Sequence, residues 1–177
     1  YDEWGGREAT PRIAIVDWKG VPTAPEFEIL RRYFEAAGTP TIVVDPGELE
    51  YEHGILSARG QRIDVLYKRV IIHEFLERSQ PGHALTRAYH EGRVCIVNSF
   101  RSKIAHKKAS FAVLSDPRFE HQLTPEQLDA VQRHVPWTRR VGERDVDYGG
   151  GRLPMRDLLL EEKDRLVLKP NDSYGGH

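Results

Sequence analysis

One cysteine, Cys95, in 177 residues rules out an internal disulfide framework and fits a reducing compartment, so a cytoplasmic location is expected. No apolar run approaches a membrane span, and no secretory leader pattern opens the chain. Neither sign of charge prevails. The 26 Lys and Arg residues against 27 Asp and Glu leave a net charge of −1, without the basic excess of a dedicated nucleic-acid binder. The histidines never recur at a metal-ligand spacing; His73, His83 and His90 read as surface or boundary residues, and no metal ligand is assigned. The sole methionine is Met155, so Tyr1 is no translational start unless the chain was processed, and a longer parent protein is expected. Two phosphate-binding signatures are missing as well. A P-loop places its lysine after the glycines, whereas Lys169 precedes Gly175 and Gly176. A dinucleotide fingerprint needs glycines directly after the first strand, and "VDWKGVPTA" does not supply them.

What remains is an ordinary soluble composition, 39% apolar and 30% charged, arranged as alternating strands and helices. "RIAIVD" reads as a buried strand. "TAPEFEILRRYFEAAG" reads as an amphipathic helix with Phe27, Leu30, Tyr33, Phe34 and Ala37 on its apolar face and Gly38 as its stop. "TPTIVVDP" is a second buried strand, and strand–helix–strand makes a parallel βαβ unit the expectation. A hairpin turning at "ARGQ", a strand in "IDVLYKR", two short helices over 71–79 and 81–90, and a strand in "RVCIVNS" complete an α/β domain over residues 1–101. From Ser102 the character changes. "SKIAHKKASFAVLSD" reads as helical, and "TPEQLDAVQRHV" as a helix capped by Thr124 with Pro125 in its first position. "DYGGGRLP" reads as a flexible linker, followed by a helix that breaks into a last strand at Leu166, Val167 and Leu168. Residues 102–177 are expected to form a second, incomplete domain.

The sharpest chemical signal is "VLKPNDSYGG". Lys169 at a strand end can place a point charge on a phosphate, while the amides of Gly175 and Gly176 wrap the next one. This element resembles the lysine–proline strand and flexible glycine-rich loop of the ATP-grasp superfamily, the carboxylate–amine ligases. "NSFRSKIAHKKASFAVLSD" is similar to the segment in which that family uses a lysine at a helix start to contact nucleotide phosphates, with Lys108 in the matching place. "DVLYKR" and "HVPWTRR" add a likeness to ligases of the glutathionylspermidine-synthase kind.

The resemblance implies a parallel-sheet pre-ATP-grasp domain followed by the start of an ATP-grasp nucleotide-binding domain. It implies ATP and Mg2+ as cofactors, with Lys108, Lys169, Ser173, Tyr174, Gly175 and Gly176 at the nucleotide. Activity would be amide formation from a carboxylate and an amine through an acyl phosphate, with small-molecule or peptide substrates. The family's magnesium-binding carboxylates and asparagine follow the glycine loop, so these 177 residues are not expected to catalyse alone. Arg69, at a strand end, can bind a substrate carboxylate bidentately or serve a structural ion pair. Cys95 reads as a small core residue rather than a catalytic thiol. Trp137 and Pro136 read as packing beneath the linker. The alternative from another class is a non-catalytic α/β binding or interaction domain derived from a ligase-like scaffold.

Overall fold

The computed structural model describes residues 1–172. The chain divides into two compact units, Tyr1–Arg101 and Ser102–His177.

The first unit is α/β. Its frame is a four-stranded parallel sheet of β1 (Ile13–Val16), β2 (Thr41–Val44), β6 (Val65–Lys68) and β7 (Cys95–Val97), in the order β2-β1-β6-β7. Ile13 pairs with Thr41 on one side and with Val65 on the other. These strands are apolar runs without alternation because both faces of the sheet are covered. Ala14, Val16 and Leu66 share one face with Phe75, Leu85 and Ala88 of helices α2 (Ile72–Arg78) and α3 (Ala84–His90). The opposite face carries α1 (Ala24–Ala36), which buries Phe27 and leaves a groove of about 350 Å³ lined by Leu30, Phe34, Ile13, Val65, Tyr67 and Val97. Tyr33 is 70% exposed, contrary to the helical face read from the sequence. At 3.6 residues per turn it stands about 120° away from Phe27, outside the stripe that Leu30 and Phe34 continue.

Between β2 and β6 the chain builds a second sheet, an antiparallel meander of β3 (Leu49–Glu52), β4 (Ile55–Ala58) and β5 (Gln61–Arg62). The expected turn at Arg59-Gly60 is there, and a further one occurs at His53-Gly54. In both, the non-glycine residue sits at φ 50° before a glycine at positive φ, the backbone of a two-residue hairpin turn. Leu49, Tyr51, Leu56 and Ala58 of the meander join the main core. Tyr51 donates its hydroxyl hydrogen bond to Glu91 Oε2 (2.6 Å), beneath the Arg87 guanidinium.

The second unit holds α4 (Ser102–His106), α5 (Ala109–Leu114), α6 (Pro125–His134), the hairpin β8 (Asp145–Tyr148) and β9 (Gly151–Pro154), and α7 (Met155–Glu161). Helix α6 begins as its sequence says: Thr124 and Gln127 form a reciprocal capping box, with Pro125 in the first turn. The segment read as a flexible linker is instead the β8–β9 hairpin. Gly149 (φ 61°) and Gly150 (φ 84°) supply the two left-handed residues of its turn, so the glycines close a hairpin rather than loosen a tether. Val146, Met155 and Leu158 form a small core, with Trp137, Tyr148, Leu153 and Leu166 against it. Trp137 packs edge-on to Tyr148 and donates its indole N–H to the Asp147 carbonyl (3.0 Å). The expected last strand is not formed. Residues 166–170 have no strand partner among the described residues, and Val167 and Leu168 are largely exposed (79% and 75%). An apolar β-branched run favours extension, but a strand also needs a neighbour to take its backbone hydrogen bonds.

Candidate functional site

Among the charged arrangements of the described residues, one in each unit falls on segments that the sequence singles out. In the first unit it lies where the sheet changes direction. The chain leaves β1 toward β2 on one side and leaves β6 toward β7 on the other, so the carboxyl ends of β1 and β6 flank a topological switch point. In open α/β sheets, ligand crevices form at that place. Here Asp17 follows β1 and Arg69 follows β6. The backbones are pinned together, with Arg69 N and Val70 N both donating to the Val16 carbonyl (2.9 and 3.2 Å).

Arg69 lies across Phe27 and Tyr67, its guanidinium carbon 5.3 and 5.7 Å from their ring centroids. It donates to Tyr67 Oη (3.2 Å) and to Glu26 Oε2 (3.1 Å). The two readings of this strand-end arginine are thus compatible in one residue: it holds an ion pair, and these contacts use a minority of the donors that a guanidinium carries. Burial pushes the Asp17 carboxyl above the usual range, with Glu74 adding to the rise; the Trp18 backbone N–H, Arg69 and Lys68 pull against it. Lys68 is 6% exposed and its ammonium donates to the Val70 carbonyl (3.1 Å). Beside them the Trp18 indole N–H is buried without an acceptor among the described residues, under the Arg78 guanidinium at 4.8 Å. A half-buried carboxylate, a buried lysine and an orphaned donor thus occur close to the switch point. Sequence reasoning singles out Arg69 and misses Asp17 and Lys68. A signal for Asp17 is nonetheless there: an acid directly after the first buried strand.

In the second unit the relevant residues gather at the break between α4 and α5. Lys103, His106, Lys107 and Lys108 fall on α4 and the junction after it, Lys108 directly preceding α5. Against this junction lies the segment that follows Lys169. Asn171 accepts a hydrogen bond from Lys108 N on its carbonyl (3.1 Å) and one from Ala109 N on its side-chain oxygen (2.9 Å), across 62 positions of sequence in the second case. Asp172 then pairs with Lys103 (Nζ–Oδ1 2.5 Å) and Lys107 (Nζ–Oδ2 3.8 Å). The Lys103 ammonium holds the Asp172 carboxyl below its ordinary range, with Lys107 and His106 adding to the effect. The lysine-bearing segments that carry the resemblance, 98–116 and 167–176, therefore adjoin where Asn171 meets Lys108 and Ala109. Lys169 itself is exposed, and Ser173, Tyr174, Gly175 and Gly176 lie outside the described residues.

Among the described residues, cysteine and histidine build no further centre. Cys95 is a buried, unpaired thiol in the sheet. His83 serves the structure. Its Nδ1 accepts from Leu85 N (3.1 Å), its Nε2 reaches the Pro46 carbonyl (3.1 Å), and its ring meets Phe75 edge-on. Among the described residues no group of three or more His, Cys, Asp or Glu is placed to hold a metal ion, and no helix is long and apolar enough to cross a membrane. Compared with known proteins, the chain matches no family model and no curated sequence.

Proposed function

We propose that this chain is the N-terminal part of an ATP-dependent carboxylate–amine ligase of the ATP-grasp kind. The parallel-sheet unit would be its pre-ATP-grasp domain, and residues 102–177 the start of its nucleotide-binding domain. The observation that supports this is the adjacency of the Lys108 junction and the segment after Lys169. Two sequence elements that would each touch the same polyphosphate must lie side by side, and solvated surface lysines on unrelated helices have no reason to.

The donor set fits a phosphate chain. Compact ammonium groups act as point charges on a polyphosphate, and the junction already attracts a carboxylate, the anion of Asp172. Lys108 and Lys169 would take the nucleotide phosphates, with Ser173, Tyr174, Gly175 and Gly176 closing over them. ATP, when bound, supplies the phosphoryl group that turns a carboxylate into an acyl phosphate. The chain's part is to hold the phosphates and offset the charge that develops on them. The magnesium implied by the resemblance finds no cluster of acids among the described residues. In the first unit, Arg69 would orient a substrate carboxylate at the switch-point crevice, with Lys68 and Asp17 beside it.

Lys108→Met and Lys169→Met test the proposal, since methionine keeps most of the stem's packing and removes the charge. ATP affinity of the full-length variants, measured by calorimetry beside their melting temperatures, is expected to fall about tenfold or more for each. That corresponds to losing one charge-assisted contact worth roughly 1.5–3 kcal/mol. Unchanged affinity in both variants rules out the ligase function. It would leave the non-catalytic interaction domain in its place.

A further inference from the structure

A cluster of lysines repels itself, and within the six residues from Lys103 to Lys108 three ammonium groups and the His106 ring fall on the end of α4 and the junction after it. The fold answers with one acid. Asp172 brings a carboxylate oxygen to 2.5 Å from the Lys103 ammonium and the other to 3.8 Å from that of Lys107. It is not there by chance of a flexible surface pair, because the residue before it is tied down twice, by Lys108 N and Ala109 N. Asn171 thus fixes the backbone that delivers Asp172 to the lysines. Lys103 is largely sheltered, with 20% of its side chain exposed, whereas 36% of the Asp172 side chain remains open to water. The cationic partner belongs to the packed junction, whereas the anionic one is the more exposed of the two, with its Oδ1 buried against the lysine.

From this we propose that Lys103 and Lys107 form a phosphate subsite that the Asp172 carboxylate occupies until a polyphosphate displaces it. The ligand class is an inorganic or nucleotide polyphosphate, whose several charges outcompete a single carboxylate for the same ammonium groups. Resting on the nucleotide proposal above, this adds two residues, Lys103 and Lys107, to the two lysines named there. It also gives Asp172 an opposing role: it weakens phosphate binding by holding the place of the ligand. The exchange needs no covalent step. One ion pair opens as another forms, so that Lys103 exchanges one charge-assisted contact for another.

The experiment uses inorganic tripolyphosphate and ATP as separate probes, titrated calorimetrically into the full-length protein and its variants at low and physiological salt. Asp172→Asn preserves shape and removes the competing charge, so tripolyphosphate should bind about 2- to 5-fold more tightly, the range spanned by an exposed ion pair. Lys103→Met should lose roughly tenfold, and in the Lys103→Met, Asp172→Asn double variant the gain from Asp172→Asn should vanish. Melting temperatures confirm that each variant folds, and Lys103→Arg should restore binding if its charge is what matters. Unchanged or weaker tripolyphosphate binding by Asp172→Asn overturns the proposal. So does a gain that persists without Lys103, since it would then reflect net charge alone. The two proposals fail separately. Tighter tripolyphosphate binding in Asp172→Asn with no ATP binding in any variant upholds the anion exchange and sinks the nucleotide function. ATP binding that depends on Lys108 and Lys169 but ignores Asp172 does the reverse.

Discussion

In the proposed ligase Arg69 would serve both the packing of its unit and a substrate carboxylate, and Arg69→Met separates the two. Methionine keeps an unbranched apolar stem against Phe27 and Tyr67 while removing every N–H donor. The structural loss can be worked from the contacts. The Glu26 partner is 49% exposed, which limits that ion pair to about 0–1 kcal/mol. The hydrogen bond to Tyr67 Oη adds about 0.5–1.5 kcal/mol. The cation over two rings adds roughly 0.5–1 kcal/mol, part of which a thioether recovers. The terms overlap, and a total of about 1–2 kcal/mol is expected from urea unfolding at pH 7 with an unchanged m-value. A double-mutant cycle with Glu26→Gln should return a coupling below about 1 kcal/mol. A second readout looks at the carboxyl end of β1. Arg69 is one of the charges that favour ionised Asp17, so its removal should move the Asp17 titration, followed by NMR, further upward. A stability loss above roughly 4 kcal/mol would make Arg69 the centre of a buried network and refute its role as a ligand-facing group. An Asp17 titration that stays where it is would show that the guanidinium does not act on that carboxylate.

Burial sets two other outcomes. It lowers the His83 pKa against the opposing pull of the Pro46 carbonyl, so the native state prefers the neutral ring. The stabilisation is complete above the unfolded pKa of about 6.5 and drains away as pH falls from there toward the lower folded value; His83→Gln should flatten that part of the stability–pH curve, and an unaltered curve would remove His83 as its cause. Phe27 is 2% exposed while Leu30 is only half-buried in the groove, so Phe27→Ala should cost about 3–5 kcal/mol and Leu30→Ala about 1–2 kcal/mol, both by reversible unfolding. Equal costs would mean that the groove beside α1 closes over Leu30 in solution.

The frame of the first unit is legible because parallel strands covered on both faces must be apolar runs, and Ile13–Val16 and Thr41–Val44 are such runs, adjacent and parallel as their pattern requires. Helix α6 is legible for a local reason, its capping box. The failures have equally local causes. Linkers and tight hairpins share the glycine signal, so Gly149 and Gly150 alone do not separate them; the deciding feature is the Asp-Val-Asp-Tyr alternation before them, with Val146 buried. Tyr33 belongs to the apolar face of α1 by residue type but not by angle. Lys68 looks like an interruption of its strand, yet a long stem allows a lysine to be buried when its ammonium meets a carbonyl, here that of Val70. Leu166, Val167 and Leu168 show the limit of propensity: they favour extension, but pairing depends on a neighbour that no local pattern names.

The same limit governs the candidate sites, and it explains why lysines are easier to find than their meaning. A strand end or a helix break can be read locally, so Arg69 and Lys108 stand out. What each does depends on the charge brought to it by another segment. For Arg69 that is Glu26 from the start of α1 and Asp17 from the end of β1. For the α4–α5 junction it is Asp172, delivered by an asparagine that bonds the two backbone amides at the start of α5. In the sequence Asp172 is only part of a polar turn beside glycines. Placed between Lys103 and Lys107, it becomes a measure of how strongly that junction attracts an anion. The carboxylate relieves the mutual repulsion of those lysines when nothing else is bound, and the same contacts mark the place for which an outside anion would have to compete.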